Sequence, residues 1–208
     1  MTSVAEPMAG LSTGERVHRA ALRLFATHGF DGTGIRKIAE EAGITVASLY
    51  HYVGTKEDLL ERMMSESMSE LLIPAKAAAE RAGDPIARIS ALVDLHVRRH
   101  ATYSQLCLVG DTELRSLSPA RRARIVALRD EYQGLWRQAI AEGAACGTFA
   151  VPDVGLATMA LLQMCTGVAY WYAPEGRLSL DAISSAFVAM AVALLTSSPA
   201  RPAKAVIA

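Results

Sequence analysis

The sequence predicts an all-α fold of about nine helices, with an amino-terminal three-helix unit followed by a larger helical domain. Three observations lead there. Apolar residues recur at helical spacing in segment after segment, with no sustained alternation of strand type. The segment boundaries carry helix punctuation, with Ser, Thr or Asp at the starts and Gly or Pro at the stops. The 208 residues are 51% hydrophobic, enough for a sizeable core and too apolar for a disordered chain.

Residues 1–12 read as a tail, and the first helix runs from Thr13 to His28. Val17, Ala20, Ala21, Leu24 and Phe25 form its apolar stripe and Gly29 stops it. Thr33 is placed to cap a second helix through Arg36, Ile38, Ala39 and Glu40, which buries Ile35, Ile38, Ala39 and Ala42. Gly43 supplies the left-handed conformation that ends it, and Ile44 plugs the angle to the next helix. Thr45 caps that helix, Val46 to about His51, with Leu49 inward and Val46, Ala47, Ser48, Tyr50 and His51 outward. Thr55-Lys56-Glu57-Asp58 is a capping-box-like start with acidic residues in the first turn. The fourth helix begins there and carries Leu59, Leu60, Met63 and Met64 to near Ile73-Pro74, where proline ends or kinks it.

Asp84-Pro85 and Ser118-Pro119 are caps followed by proline at the first helical position. They open helices reaching about His100 and Gly143. Asp153 opens another to about Tyr172, Pro174-Glu175-Gly176 is a turn, and Ser179 opens a last helix through Leu195 before a second tail at 197–208. From Val154 to Tyr170 and from Ile183 to Leu195 the apolar residues run nearly all round each helix. Such helices need cover on every side, so one side belongs to the subunit's own core and the other to a second copy. Leu156, Ala160, Gly167, Phe187, Met190 and Leu194 are the expected interface residues of a homodimer closed as a four-helix bundle.

The two short helices broken at Gly43 are written as a helix-turn-helix DNA reader. The spaced pattern Thr33, Ile38-Ala39, Ala42-Gly43-Ile44, Ser48-Leu49-Tyr50, Tyr52, Lys56, Leu59-Leu60, preceded by Ala-x-x-Leu-Phe-x-x-x-Gly-Phe from Ala21 to Phe30, resembles the amino-terminal domain of the TetR family of bacterial transcriptional regulators. The match covers about residues 13 to 65. It departs at Gly34, where a second Ser or Thr is usual, and at His51-Tyr52, where the order is often reversed.

The resemblance implies a reading domain at 13–58 and a ligand-binding and dimerisation domain at 59–196. Val46, Ala47 and Ser48 are expected at base edges, and Thr33, Tyr50, Tyr52 and Lys56 at phosphates. Arg36, Lys37, Thr45 and His51 complete the expected DNA surface. It further implies a repressor released from double-stranded, palindromic operator DNA by a small apolar effector. Met64, Met68, Tyr103, Leu106, Trp136, Met164 and Trp171 are the expected pocket lining. The stretches from His100 to Arg129 and from Trp171 to Ser179 are similar to a branch of the family that answers to acyl-coenzyme A thioesters. Arg121, Arg122 and Arg124 would there grip the phosphates.

Charge qualifies this picture. With 21 basic and 21 acidic residues the net charge is zero, and residues 1–60 hold six Lys or Arg against seven Asp or Glu, so non-specific DNA affinity is expected to be modest. Cys107, Cys146 and Cys165 are spaced for neither a disulfide framework nor a zinc knuckle. His96 and His100 lie four apart on one helix, but nothing at fixed spacing completes a metal site. No nucleophile elbow, phosphate-cradling loop or His-Glu-x-x-His occurs, so neither an enzyme nor a cofactor is expected. No leader opens the chain, and the longest apolar run, Met159 to Tyr172, is broken by Gln163, Thr166 and Gly167. A cytoplasmic protein with no membrane partner is expected. Two other readings stay open from the residues: a redox- or metal-responsive regulator of the same fold, or a helical interaction protein that binds no DNA.

Overall fold

The structure, a computed structural model, describes residues 10–81 and 83–197, so both expected tails lie almost wholly outside the described residues. Among the described residues every regular element is helical. The chain forms two compact units. One holds the residues up to Met68 together with Gln105–Val126; the other holds Ser69–Ser104 together with the residues from Ala127 onward.

In the first unit α1 spans Thr13–His28. Its start is a reciprocal capping box: Glu15 N–H donates to Ser12 Oγ, and the Glu15 carboxylate accepts from Ser12 N–H at 2.8 Å. Val17, Ala20, Ala21, Leu24 and Phe25 are its buried face, and Gly29 ends it at φ 71°. The second helix, α2 (Ile35–Glu41), buries Ile38 and Ala39, and Gly43 takes φ 67° as the turn requires. Thr33 does not cap α2. Gly34 occupies the N-cap position, whereas Thr33 is fully buried, its hydroxyl 2.8 Å from Gly29 O and 3.2 Å from Leu24 O. A side chain that closes the preceding loop cannot also cap the helix.

Helix α3 (Val46–Leu49) is a single regular turn, shorter than the expected run to His51, and Thr45 caps it by accepting from Ser48 N–H. Beyond it, His51 N–H and Tyr52 N–H bond three residues back and the chain tightens into a turn. Helix α4 (Lys56–Arg81) starts where Asp58 N–H donates to Thr55 Oγ1 at 3.0 Å. It continues through Pro74 rather than ending there, because Leu71, Leu72 and Ala75 around the proline are all buried.

Helix α5 (Pro85–Thr102) is capped by Asp84 and buries Ile89, Leu92, Val93, His96, Val97, His100 and Ala101 in the second unit. The sequence did not mark the next helix, α6 (Ser104–Glu113): it follows α5 with no cap, and its apolar residues Leu106, Cys107, Leu108 and Val109 run consecutively instead of at helical spacing. After a 3-10 turn at Leu114–Ser116, α7 spans Pro119–Ala145. It passes through the expected stop at Gly143. A Cβ there would sit 2.1 Å from the Phe149 ring, so this glycine lets an aromatic ring lie on the helix, and Gly147, at φ 79°, makes the turn.

Helix α8 (Val154–Thr166) is capped by Asp153, and Gly167 separates it from the short α9 (Val168–Trp171), dividing what reads in sequence as one helix. Helix α10 (Leu180–Thr196) is capped by Ser179. It packs most extensively on α5, which also meets α8 and α9. The core of this unit is Ile89, Leu92, Val93, Val97, Trp136, Ile140, Leu161, Val168 and Leu195. Each side chain removed from water here contributes roughly 1.5–3 kcal/mol before the entropy of ordering is subtracted.

Candidate functional site

The two-helix unit presents an exposed surface backed by a buried one. Leu49 is completely buried beneath α3, while Ala47, Tyr50, His51 and Tyr52 are exposed and Val46 and Ser48 half-exposed on the other side. Thr45 Oγ1 and Ser48 Oγ lie 2.9 Å apart, so these two hydroxyls fix one another at the start of the helix. On α2, Arg36 and Lys37 are exposed, and Lys37 Nζ is 2.9 Å from His28 Nε2. Of the expected DNA residues, Arg36, Lys37, Thr45, Val46, Ala47, Ser48, Tyr50, His51 and Tyr52 are all exposed or half-exposed.

Thr33 and Lys56 do not belong with them in the same way. Thr33 has no accessible surface, which withdraws it from phosphate contact. Lys56 is half-buried: its ammonium donates to Phe30 O at 2.6 Å and Thr33 O at 2.9 Å and lies 4.0 Å from the centre of the Phe30 ring. Two of its three N–H groups close the loop before α2. Sequence reasoning missed this role, and also that of Arg16, whose Nε–H donates to Ala42 O at 3.2 Å at the end of α2. None of these three backbone carbonyls can be located from sequence pattern.

In the second unit, α8 to α10 carry an apolar outer face. Leu156 is 67% exposed, Met159 62%, Tyr170 59%, Trp171 54%, Met190 47% and Leu194 44%. Ala160 is also exposed, and Gly167 and Phe187 are half-exposed. The spacing repeats each turn, so this is one continuous stripe per helix. The segment Val154–Trp171 is as apolar as a membrane span. At 18 residues it is also long enough by that measure, and a third of it is buried inside the structure.

The expected pocket residues have different surroundings. Trp136 is fully buried, its ring edge-on to Tyr132 and His96 at 6.3 and 5.7 Å, so it is a core residue. Tyr103 is half exposed beneath the Arg99 guanidinium, 4.1 Å from its ring, and Trp171 stacks at 6.2 Å on Phe187 within the exposed apolar face. Met164 is half-buried. In the other unit Met64 is buried and Met68 and Leu106 half-buried. Arg121 and Arg124, expected to grip phosphates, instead pair with Asp58 and Glu61 of α4.

His96 and His100 stack at 3.9 Å inside the core. His96 Nδ1 is 3.0 Å from Tyr132 Oη and Nε2 is 3.1 Å from Thr166 Oγ1, so both its nitrogens bind protein. Burial pushes this imidazole well below its ordinary range, and His100 beside it adds to the effect. Among the described residues no three His, Cys, Asp or Glu side chains gather as a metal site. Burial pushes the Cys165 thiol up to about 12, so it is held as the neutral thiol near pH 7.

A helix-turn-helix head with an exposed reading helix, in one chain with a helical unit whose described residues expose an apolar face, defines a DNA-binding regulator. The sequence profile described as "Bacterial regulatory proteins, tetR family" matches residues 18–63, and "Tetracyclin repressor-like, C-terminal domain" matches residues 82–195. The chain belongs to the TetR family, whose members are transcriptional regulators and not enzymes. It is 26% identical over 179 residues, 85% of this chain and 88% of the relative, to the HTH-type transcriptional repressor KstR2 of Rhodococcus jostii. A tetR-family regulatory protein from Rhodococcus RHA1 superposes with a TM-score of 0.82 at 26% identity, covering 90% of this chain and 99% of that one. AibR in complex with isovaleryl coenzyme A and operator DNA superposes with a TM-score of 0.78 at 24% identity over 86% and 97% of the two chains, a likeness of fold.

Proposed function

We propose that this protein is a homodimeric repressor that holds a palindromic operator until an apolar effector, an acyl-coenzyme A thioester, releases it. The observation that carries this reading is the pairing of two surfaces on one chain: an exposed reading helix with no strong charge of its own, and an apolar face left exposed among the described residues. Two copies joined by α8 and α10 would set their reading heads about 34 Å apart, one turn of DNA. Val46, Ala47 and Ser48 would then meet base edges, and Arg36, Lys37, Tyr50, His51 and Tyr52 the backbone on either side. Residues 13–58 form the reading domain in this scheme and 59–196 the effector and dimer domain, and the protein works in the cytoplasm, where its operator is.

Effector binding acts as a population shift. A ligand that prefers the conformation with misplaced heads lowers operator affinity by the ratio of its affinities for the two states. The class of effector is drawn from the resemblance of residues 100–129 and 171–179 to the branch that answers to acyl-coenzyme A thioesters, and is in keeping with AibR, a protein of the same fold seen in complex with isovaleryl coenzyme A and operator DNA. The test is a gel shift with the intergenic DNA upstream of the gene, repeated with isovaleryl-coenzyme A and with a steroid acyl-coenzyme A. A retarded band that one thioester abolishes is expected. Absence of any band refutes the regulator, whereas a band indifferent to both thioesters refutes the effector class alone.

A further inference from the structure

Glu57, Asp58 and Glu61 stand on the first two turns of α4, immediately after the DNA-reading helices. In a protein that must approach phosphates they are misplaced unless something answers them. All are answered from residues 118–124 of the same compact unit. Ser118 N–H donates to Glu57 Oε1 at 2.6 Å, which holds that carboxyl below its usual range. Arg121 lies among the three: its Nη2 is 2.5 Å from Asp58, its Nη1 is bonded to Glu61, and its Nε is 3.5 Å from Glu57. Arg124 reaches Glu61 Oε1 through Nε at 2.7 Å and Nη2 at 2.6 Å.

The Glu61 side chain is only 15% exposed, so this is a chelated cluster and not a loose surface pair. Lys56, one residue before Glu57, holds the loop at Phe30 and Thr33 that leads into α2. The first turn of α4 is thus fixed on one side to the reading helices and on the other to the start of α7.

We propose that Arg121 is a positioning residue for DNA reading, clamping Glu57, Asp58 and Glu61 together with Ser118 and Arg124 so that α4 holds the two-helix reader in the setting that recognises the operator. The proposal rests on the regulator reading above. It makes the carboxylates, which by charge alone oppose DNA, necessary for operator affinity. Any change in the first turn of α7 also reaches α4 through these groups.

Charge and clamp predict opposite signs for one substitution. Glu61→Gln removes a negative charge, so electrostatics alone would tighten binding to every DNA. The clamp predicts operator binding about fivefold weaker, with binding to a random-sequence fragment of equal length unchanged or slightly tighter. Arg121→Gln weakens operator binding at least as much, and the double variant is no weaker than Arg121→Gln alone, as expected when both changes break one interaction. Helix content by circular dichroism accompanies each variant. Glu57→Gln carries the same opposed signs should Glu61→Gln lose helix.

Operator binding by Glu61→Gln that is equal to or tighter than wild type overturns the clamp while leaving the regulator standing. Wild-type protein that binds the upstream fragment no better than random DNA sinks both.

Discussion

Lys56 shows how a residue expected at the DNA surface can instead serve the fold. Its ammonium bonds two loop carbonyls and sits over a buried ring, interactions that together are worth about 2 kcal/mol in a half-buried setting. Lys56→Met should therefore lower unfolding free energy by about that amount in urea, and the operator salt dependence should change little once the comparison is made on folded protein. A slope reduced by about one would place Lys56 back among the phosphate contacts.

His96 leads to a pH dependence of stability. Burial, then the neighbouring His100, depresses its folded-state affinity for a proton. Below about pH 6.5 the unfolded chain takes up a proton that the folded one refuses, so stability falls with falling pH, by up to about 1.4 kcal/mol per unit for this one group. Denaturation from pH 7 to 5 should show that loss in the wild type and a shallower one in His96→Gln. Equal slopes would mean that His96 protonates without unfolding.

At the level of elements, Gly143 and Gly147 separate two uses of one residue type. Alanine at 143 gains about 1 kcal/mol in helix propensity, but its Cβ would fall 2.1 to 2.9 Å from three atoms of the buried Phe149 ring. Overpacking of that kind costs about 1–3 kcal/mol or more and wins. Gly143→Ala should destabilise by roughly 2 kcal/mol, and Phe149→Leu in the same chain should recover part of it. Gly147→Ala carries the cost of a positive φ, about 1–2 kcal/mol, with no recovery from Phe149→Leu. Thermal unfolding of the four variants decides between a packing and a turn role.

The same pair explains what was legible in the sequence. Caps are local, so Thr45, Thr55, Asp84, Asp153 and Ser179 announced their helices before any packing was known. The stripe of α1 and the positive φ of Gly43 were legible for the same reason. Gly143 was misread because its partner lies across a turn, Thr33 because its acceptors are carbonyls of the preceding helix and loop, and α6 because it inherits its start from α5 without a cap. The helix-turn-helix was visible because its pattern is contiguous. The support beneath it, from Arg16, Lys56 and Arg121, was not, because its partners lie 23 to 64 residues away.

For the whole molecule, a near-neutral head and an uncovered apolar face imply each other. With six basic residues against seven acidic ones in the first 60, a single head has little non-specific hold on DNA, and useful affinity requires two heads on one site. The stripe through Leu156, Met159, Ala160, Met190 and Leu194 supplies the means, since each of these side chains gains roughly 25 cal/mol per Å² when a second copy covers it. Met190→Glu places a charge in the middle of that stripe, where burial without a partner is prohibitive. The variant should sediment as a folded monomer and bind the operator no better than random DNA. Glu introduced at the exposed Ala141 of α7, outside the stripe, should change neither mass nor affinity. A Met190→Glu protein that stays dimeric would show that the two copies meet elsewhere. One that is monomeric yet still selects the operator would show that a single head suffices despite its near-neutral charge.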